Sequence, residues 1–134
     1  MLKVNDVWFK YDKKEWLLKG ISFEIGPGIH CIVGKNGSGK TTLIRIIIGA
    51  LKPQRGYITI YGKRIRSIKD AIGLISYVPS NPMSFLVGPT VEEDIKKAML
   101  KANKEDTKIL ELVDLDGLYR KKILDLSEGQ KRLV

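Results

Sequence analysis

Residues 34–41 read G-K-N-G-S-G-K-T. The pattern G-x-x-x-x-G-K-[ST] is met at Gly34, Gly39, Lys40 and Thr41, with a further glycine at Gly37. Glycines let the backbone curl so that successive N–H groups converge on phosphate oxygens. Lys40 adds a positive charge able to reach β- and γ-phosphates, and the Thr41 hydroxyl is the residue type that ligates Mg²⁺ in such a loop. A helix starting at this point turns its positive end toward the same anions. The expected binding set is Gly34, Lys35, Asn36, Gly37, Ser38, Gly39, Lys40, Thr41 and Thr42, with Thr41 as metal ligand.

The flanks agree with the loop. Ile29-His30-Cys31-Ile32-Val33 is short, apolar and rich in β-branched residues, so it is expected to be a buried strand. Residues 41–48 contain no glycine or proline and carry Leu43, Ile44, Ile46, Ile47 and Ile48, which predicts a buried helix.

The chain of 134 residues is about one domain long. No apolar run approaches the roughly 20 residues that span a bilayer; the best stretch, residues 43–51, is broken by Arg45 and Gly49. The N-terminus has no apolar core of a signal peptide. The single cysteine, Cys31, cannot pair within the chain and is expected to be a small core residue. These features point to the cytoplasm. The formal net charge is +9. Its lysines are scattered rather than interleaved with aromatic residues, which argues against a nucleic-acid surface and for solvated faces around a phosphate site. The clusters Lys63-Arg64-Ile65-Arg66 and Arg120-Lys121-Lys122 are read as solvated faces or contacts to an acidic partner.

Alternation of apolar and polar residues predicts strands over Leu2–Phe9 and residues 16–25. The latter is ended by Gly26-Pro27-Gly28. Residues 57–61 form another β run, residues 68–72 a short helical turn, and residues 74–78 a buried strand stopped by Pro79. A proline-rich loop follows to Pro89. Thr90 with Glu93 three residues on is a helix-start signature, and a helical pattern runs from there to Ala102. Residues 105–113 predict another helix, and Ser127 a capped one near the C-terminus. β-rich residues thus come first, then a parallel-sheet core, then helices.

Leu126-Ser127-Glu128-Gly129-Gln130 precedes Lys131 and Arg132. With a phosphate loop upstream, this resembles the signature motif L-S-G-G-Q of ABC-type ATPases. Tyr11, after Val7-Trp8-Phe9, resembles the aromatic residue that stacks on adenine in that family. Gly49, Leu51-Lys52-Pro53 and Gly56 resemble the family's turn after its first helix, and Tyr77-Val78-Pro79 leads to the Q-loop position. The stretch from Pro89 through Thr90-Val91-Glu92-Glu93-Asp94 to Ile95 is similar to energy-coupling-factor and cobalt-type importers, which would make vitamins or transition metals the transported class.

The resemblance implies an α/β fold: a P-loop NTPase core with an N-terminal antiparallel β subdomain and a helical subdomain. Residues 1–79 would hold the β subdomain and P-loop core, and residues 80–134 the Q-loop region and helical subdomain. It implies Mg²⁺ and ATP as ligands, with two such domains meeting head to tail. Leu126, Ser127, Glu128, Gly129 and Gln130 would then contact the ATP of the partner domain, and a membrane-spanning transporter subunit would receive the motion. The location implied is the cytoplasmic side of the cell membrane.

Two positions depart from the family pattern. Ser80 stands where glutamine is usual and is too short to span the same gap. Glu128 replaces the middle glycine of the signature, a change expected to be tolerated because Gly129 is kept. The sequence reaches Val134 inside the signature helix, before the strand carrying the metal-binding aspartate, the catalytic glutamate and the switch histidine. No catalytic residue is therefore assigned, and this polypeptide is expected not to turn over ATP alone. It is expected to expose a sheet edge and to gain stability from a separate chain supplying that part. Two alternatives stay open: a module that binds ATP without hydrolysing it, and a soluble ABC-type protein acting on the ribosome or nucleic acid.

Overall fold

A computed structural model describes residues 1–12, 15–102 and 117–134. The chain forms two compact units, Met1–Tyr77 and Val78–Val134. The fold is α/β, with an antiparallel sheet at the N-terminus followed by the glycine loop and its helix, and then helical elements.

The first unit is built on four strands: β1 (Leu2–Phe9), β2 (Leu18–Ile25), β3 (Arg55–Ile60) and β4 (Lys63–Ile65). They form one antiparallel sheet in the order β2-β1-β3-β4. Strict alternation along β1 would place Val4 on one face and Val7 and Phe9 on the other. All three are buried in the same core. A β-bulge resolves the conflict: the pairing register shifts between Val4 and Val7, and Asp6 takes φ 45°. One extra residue reverses the parity of everything after it. The opposing strand must make room for the bulge. Gly56, at φ 78°, faces it so closely that a Cβ there would lie 2.2 Å from the Asp6 carbonyl oxygen.

The helix α1 (Lys40–Ile47) buries Thr42, Leu43, Ile46 and Ile47 against this sheet, whose core face also carries Ile58, Ile60 and Ile65. A short helix, α2 (Ile68–Ala71), is started by a capping box at Ser67. The backbone N–H of Arg66 donates to the Asp70 carboxylate at 3.0 Å, and Ser67 donates through its N–H and hydroxyl. These bonds, led by the one from Arg66, hold the Asp70 carboxyl below its usual range.

The sequence reading missed β4. Tyr61 and Gly62, at φ 49° and 80°, make a two-residue hairpin turn into it. The basic run Lys63-Arg64-Ile65 is therefore a charged edge strand: Ile65 is buried, and the Arg64 guanidinium lies 4.9 Å from the Tyr57 ring centroid. Charges on an edge of this kind discourage pairing with another chain.

Two expected strands are corrected. Residues 29–33 and 74–78 have no strand pairing. Ile29 is 99% exposed and Val33 is 88% exposed, and Cys31 is exposed rather than part of the core. Leu74 and Ile75 pack partly against the core, whereas Val78 is exposed. A strand exists through hydrogen bonds to neighbours, and no described segment supplies them to either run.

The second unit carries α3 (Val91–Ala102) and the short α4 (Glu128–Lys131), with 3₁₀ turns at Pro82–Ser84 and Ile123–Asp125. Val91, Ile95 and Leu126 form its small core, with Leu118, Tyr119 and Val134 against it. Thr90 pairs with Lys122 in an isolated β-bridge. Thr90 caps α3 as expected, its hydroxyl accepting from Glu93 N–H at 3.3 Å. The helix expected over residues 105–113 lies outside the described residues.

Candidate functional site

The glycine loop runs directly into α1. Gly39 is the residue before the helix, at φ 92°, a conformation in which a β-carbon is strained and would also sit 2.7 Å from Leu18 Cδ2. No side chain caps the helix start, and its first turn holds no acidic residue. The free N–H groups and positive end of α1 thus meet no capping side chain and no carboxylate of the helix's own first turn. Burial of Thr42, Leu43 and Ile46 anchors the helix, so the loop is mounted on a fixed element.

Lys40 folds back across the loop. Its ammonium donates to the carbonyl oxygens of Gly34 at 2.7 Å and Lys35 at 2.8 Å. Ser38 N–H donates to the same Lys35 carbonyl at 3.2 Å. An ammonium carries three N–H donors, so one remains for an anion while the other two brace the loop. A hollow of about 360 Å³ is lined by Leu17, Asn36, Gly37, Gly39, Lys40, Thr41 and Thr42. The Thr41 hydroxyl belongs to an exposed residue on this hollow, whereas Thr42 is buried.

A second hollow, of about 210 Å³, is lined by Tyr11, Asp12, Glu15, Trp16 and Leu17. Leu17 borders both. Tyr11 is 63% exposed, with its ring edge-on to Phe9 at a centroid distance of 4.9 Å. Its hydroxyl lies 3.1 Å from Thr42 Oγ1. Tyr11 and the loop, 23 or more positions apart in sequence, are therefore joined at α1. Leu17 was missed as a site residue because the sequence places it, beside Leu18, inside the strand expected over residues 16–25, where a leucine signals only strand packing. It is placed by its N–H donating to the Phe9 carbonyl at 2.9 Å.

In the second unit, Ser80 is exposed ahead of the Pro82–Ser84 turn. Ser127 caps α4. Its hydroxyl accepts from Gln130 N–H at 3.2 Å, and its own N–H donates to Gln130 Oε1 at 3.0 Å. Leu126 is buried, Gly129 is exposed, and Glu128 pairs with Lys131 at 3.0 Å on the surface. Glu128 in place of glycine therefore meets no steric obstacle among the described residues of this unit.

A family model described as ABC transporter matches residues 18–134. The chain belongs to the ABC transporter family. It is 39% identical over 142 residues to an energy-coupling factor transporter ATP-binding protein of Thermotoga maritima, covering 98% of this chain and 52% of that protein. It is 34% identical over 148 residues to a zinc uptake system ATP-binding protein of Listeria monocytogenes, covering 100% of this chain and 57% of that protein. Among solved structures it resembles cbiO1 from Clostridium perfringens, part of the ABC transporter complex cbiONQ. The TM-score is 0.76 at 32% identity, over 98% of this chain and 57% of that one. The chain thus spans about half the length of these ABC-family relatives. Among the described residues, no helix is long and apolar enough to cross a membrane.

Proposed function

We propose that this chain is the nucleotide-binding part of an ABC transporter ATP-binding subunit. It binds Mg·ATP with the phosphates on residues 34–42 and the base against Tyr11, and Thr41 ligates the metal. The observation that carries this reading is the open glycine loop on the uncapped start of α1, with Tyr11 joined to that helix through Thr42. The relatives' names support transport as the process served. The zinc uptake relative supports an importer, and the likeness of residues 89–95 to energy-coupling-factor and cobalt-type importers supports vitamins or transition metals as the cargo class, at the cytoplasmic side of the membrane.

In the whole protein two such domains meet head to tail, and Ser127 and Gly129 contact the phosphates held by the partner domain. Ser80 lies where closure is relayed to a membrane-spanning subunit. Residues 1–79 serve as β subdomain and P-loop core, and residues 80–134 as the Q-loop region and helical subdomain. Hydrolysis belongs to that whole assembly, where the chemistry is phosphoryl transfer to water assisted by Mg²⁺ and fixed positive charge.

Titration calorimetry of the chain with Mg·ATP tests the reading. Saturable binding at one site, abolished by inorganic tripolyphosphate as competitor, is the expected result. Absence of any nucleotide binding by a chain that circular dichroism shows to be folded would overturn it.

A further inference from the structure

We infer that Gln54 is the positioning residue for the base-binding segment at Tyr11; the inference rests on the proposed nucleotide reading. The ladder between β1 and β3 ends with Trp8 opposite Arg55. Gln54 N–H still donates to the Trp8 carbonyl at 3.0 Å. Continuing that register would set Phe9 against Gln54 and then Lys10 against Pro53, and proline has no N–H to give. The Gln54 side chain takes over. Its Oε1 accepts from Lys10 N–H at 3.2 Å, and its Nε2 donates to the Lys10 carbonyl at 2.9 Å.

A primary amide offers one acceptor and one donor side by side, the same pattern as a peptide group. Gln54 therefore extends the ladder past a proline that would have ended it. The residue held in this way is the immediate neighbour of Tyr11. With the backbone of Lys10 fixed, the Tyr11 ring leans edge-on against Phe9 and its hydroxyl reaches Thr42. On the other side of the excursion the Trp16 ring packs on Trp8 at 5.4 Å between centroids, with the Arg55 guanidinium 5.6 Å from the Trp16 ring. The chain is thus pinned on both sides of Tyr11, and Gln54 holds the residue directly before it.

A positioning role makes a statement that a purely structural one does not. Loss of the pin should weaken the grip on the base and leave the grip on the phosphates unchanged. The readout is the ratio of affinities for Mg·ATP and for Mg-tripolyphosphate, which has no base, measured by calorimetry on the 134-residue chain. Gln54→Met keeps the length and removes both hydrogen bonds. It should lower Mg·ATP affinity by roughly threefold to tenfold, the scale of one or two such bonds, with tripolyphosphate binding unaltered. Gln54→Glu keeps the acceptor but sets a carboxylate against the Lys10 carbonyl, and should lower the same ratio, which covers the case in which the methionine variant does not fold.

Tyr11→Ala separates the two layers of the inference. If it lowers the ratio and adding Gln54→Met lowers it no further, the two residues act through one contact, as inferred. If Tyr11→Ala lowers the ratio but both Gln54 variants keep the wild-type value, the positioning role is overturned and the base contact stands. If Tyr11→Ala leaves the ratio unchanged, the base contact itself is wrong and the role of Gln54 falls with it.

Discussion

The Tyr11 hydroxyl lies 3.1 Å from Thr42 Oγ1. The aromatic residue beyond β1 is thereby tied to the helix that carries the phosphate loop, one residue after the proposed metal ligand. A stacked ring reads the face of a base rather than its edge. GTP should therefore displace ATP with an affinity within roughly a factor of five. Competition calorimetry checks this. A much larger preference for ATP would show that an edge contact, and not Tyr11 alone, recognises the base.

Lys40→Ala removes the ammonium that braces Gly34 and Lys35 and faces the hollow. The variant should bind Mg·ATP more weakly by about 1.5–3 kcal/mol, the worth of a charge-assisted hydrogen bond. Equal affinities in the two proteins would remove Lys40 from the site.

Gly56→Ala should destabilise the first unit by more than about 1 kcal/mol. The added carbon would strike the carbonyl oxygens of Asn5 and Asp6, and the backbone conformation disfavours any side chain. Urea unfolding with an unchanged slope and a lowered midpoint is the expected outcome. Gly62→Ala is the control, because a carbon there meets nothing within 4 Å although its φ is also positive. The difference between the two variants isolates the clash at the bulge.

Asp94 is a buried carboxylate whose Oδ1 accepts the backbone N–H groups of Val87 at 2.7 Å and Gly88 at 2.6 Å. Asp94→Ala leaves both donors without that acceptor and should cost about 1–3 kcal/mol. Amide exchange at Val87 and Gly88 should accelerate in the alanine variant and much less in Asp94→Asn, which retains an oxygen in place. Unchanged protection at both amides would mean that the turn is held by something else.

Cys31 is exposed in this chain. A thiol-specific dye at neutral pH should label it fully without denaturant, because an exposed thiol needs no unfolding to react. Adding a polypeptide that supplies strands to residues 29–33 should slow the labelling. Slow labelling of the chain alone would contradict the exposure of this segment.

Local features were legible in the residues themselves. The glycine loop, the helix after it, the apolar–polar alternation over Leu2–Phe9 and the β-branched run in the 57–61 region, and the caps at Thr90 and Ser127 are all patterns set by neighbours a few positions away. Backbone freedom at glycine, side-chain capping and short-range periodicity act over such distances, so sequence alone determined them. The parity change at Asp6, the bidentate pairing of Gln54 with Lys10 and the burial of Asp94 were decided only by tertiary structure, because each depends on what lies across a strand or a turn. The same reason explains the two corrected strands. Residues 29–33 and 74–78 have the composition of buried parallel strands, but composition supplies only apolar faces. The hydrogen bonds that make a strand come from a neighbouring segment, and among the described residues none pairs with them.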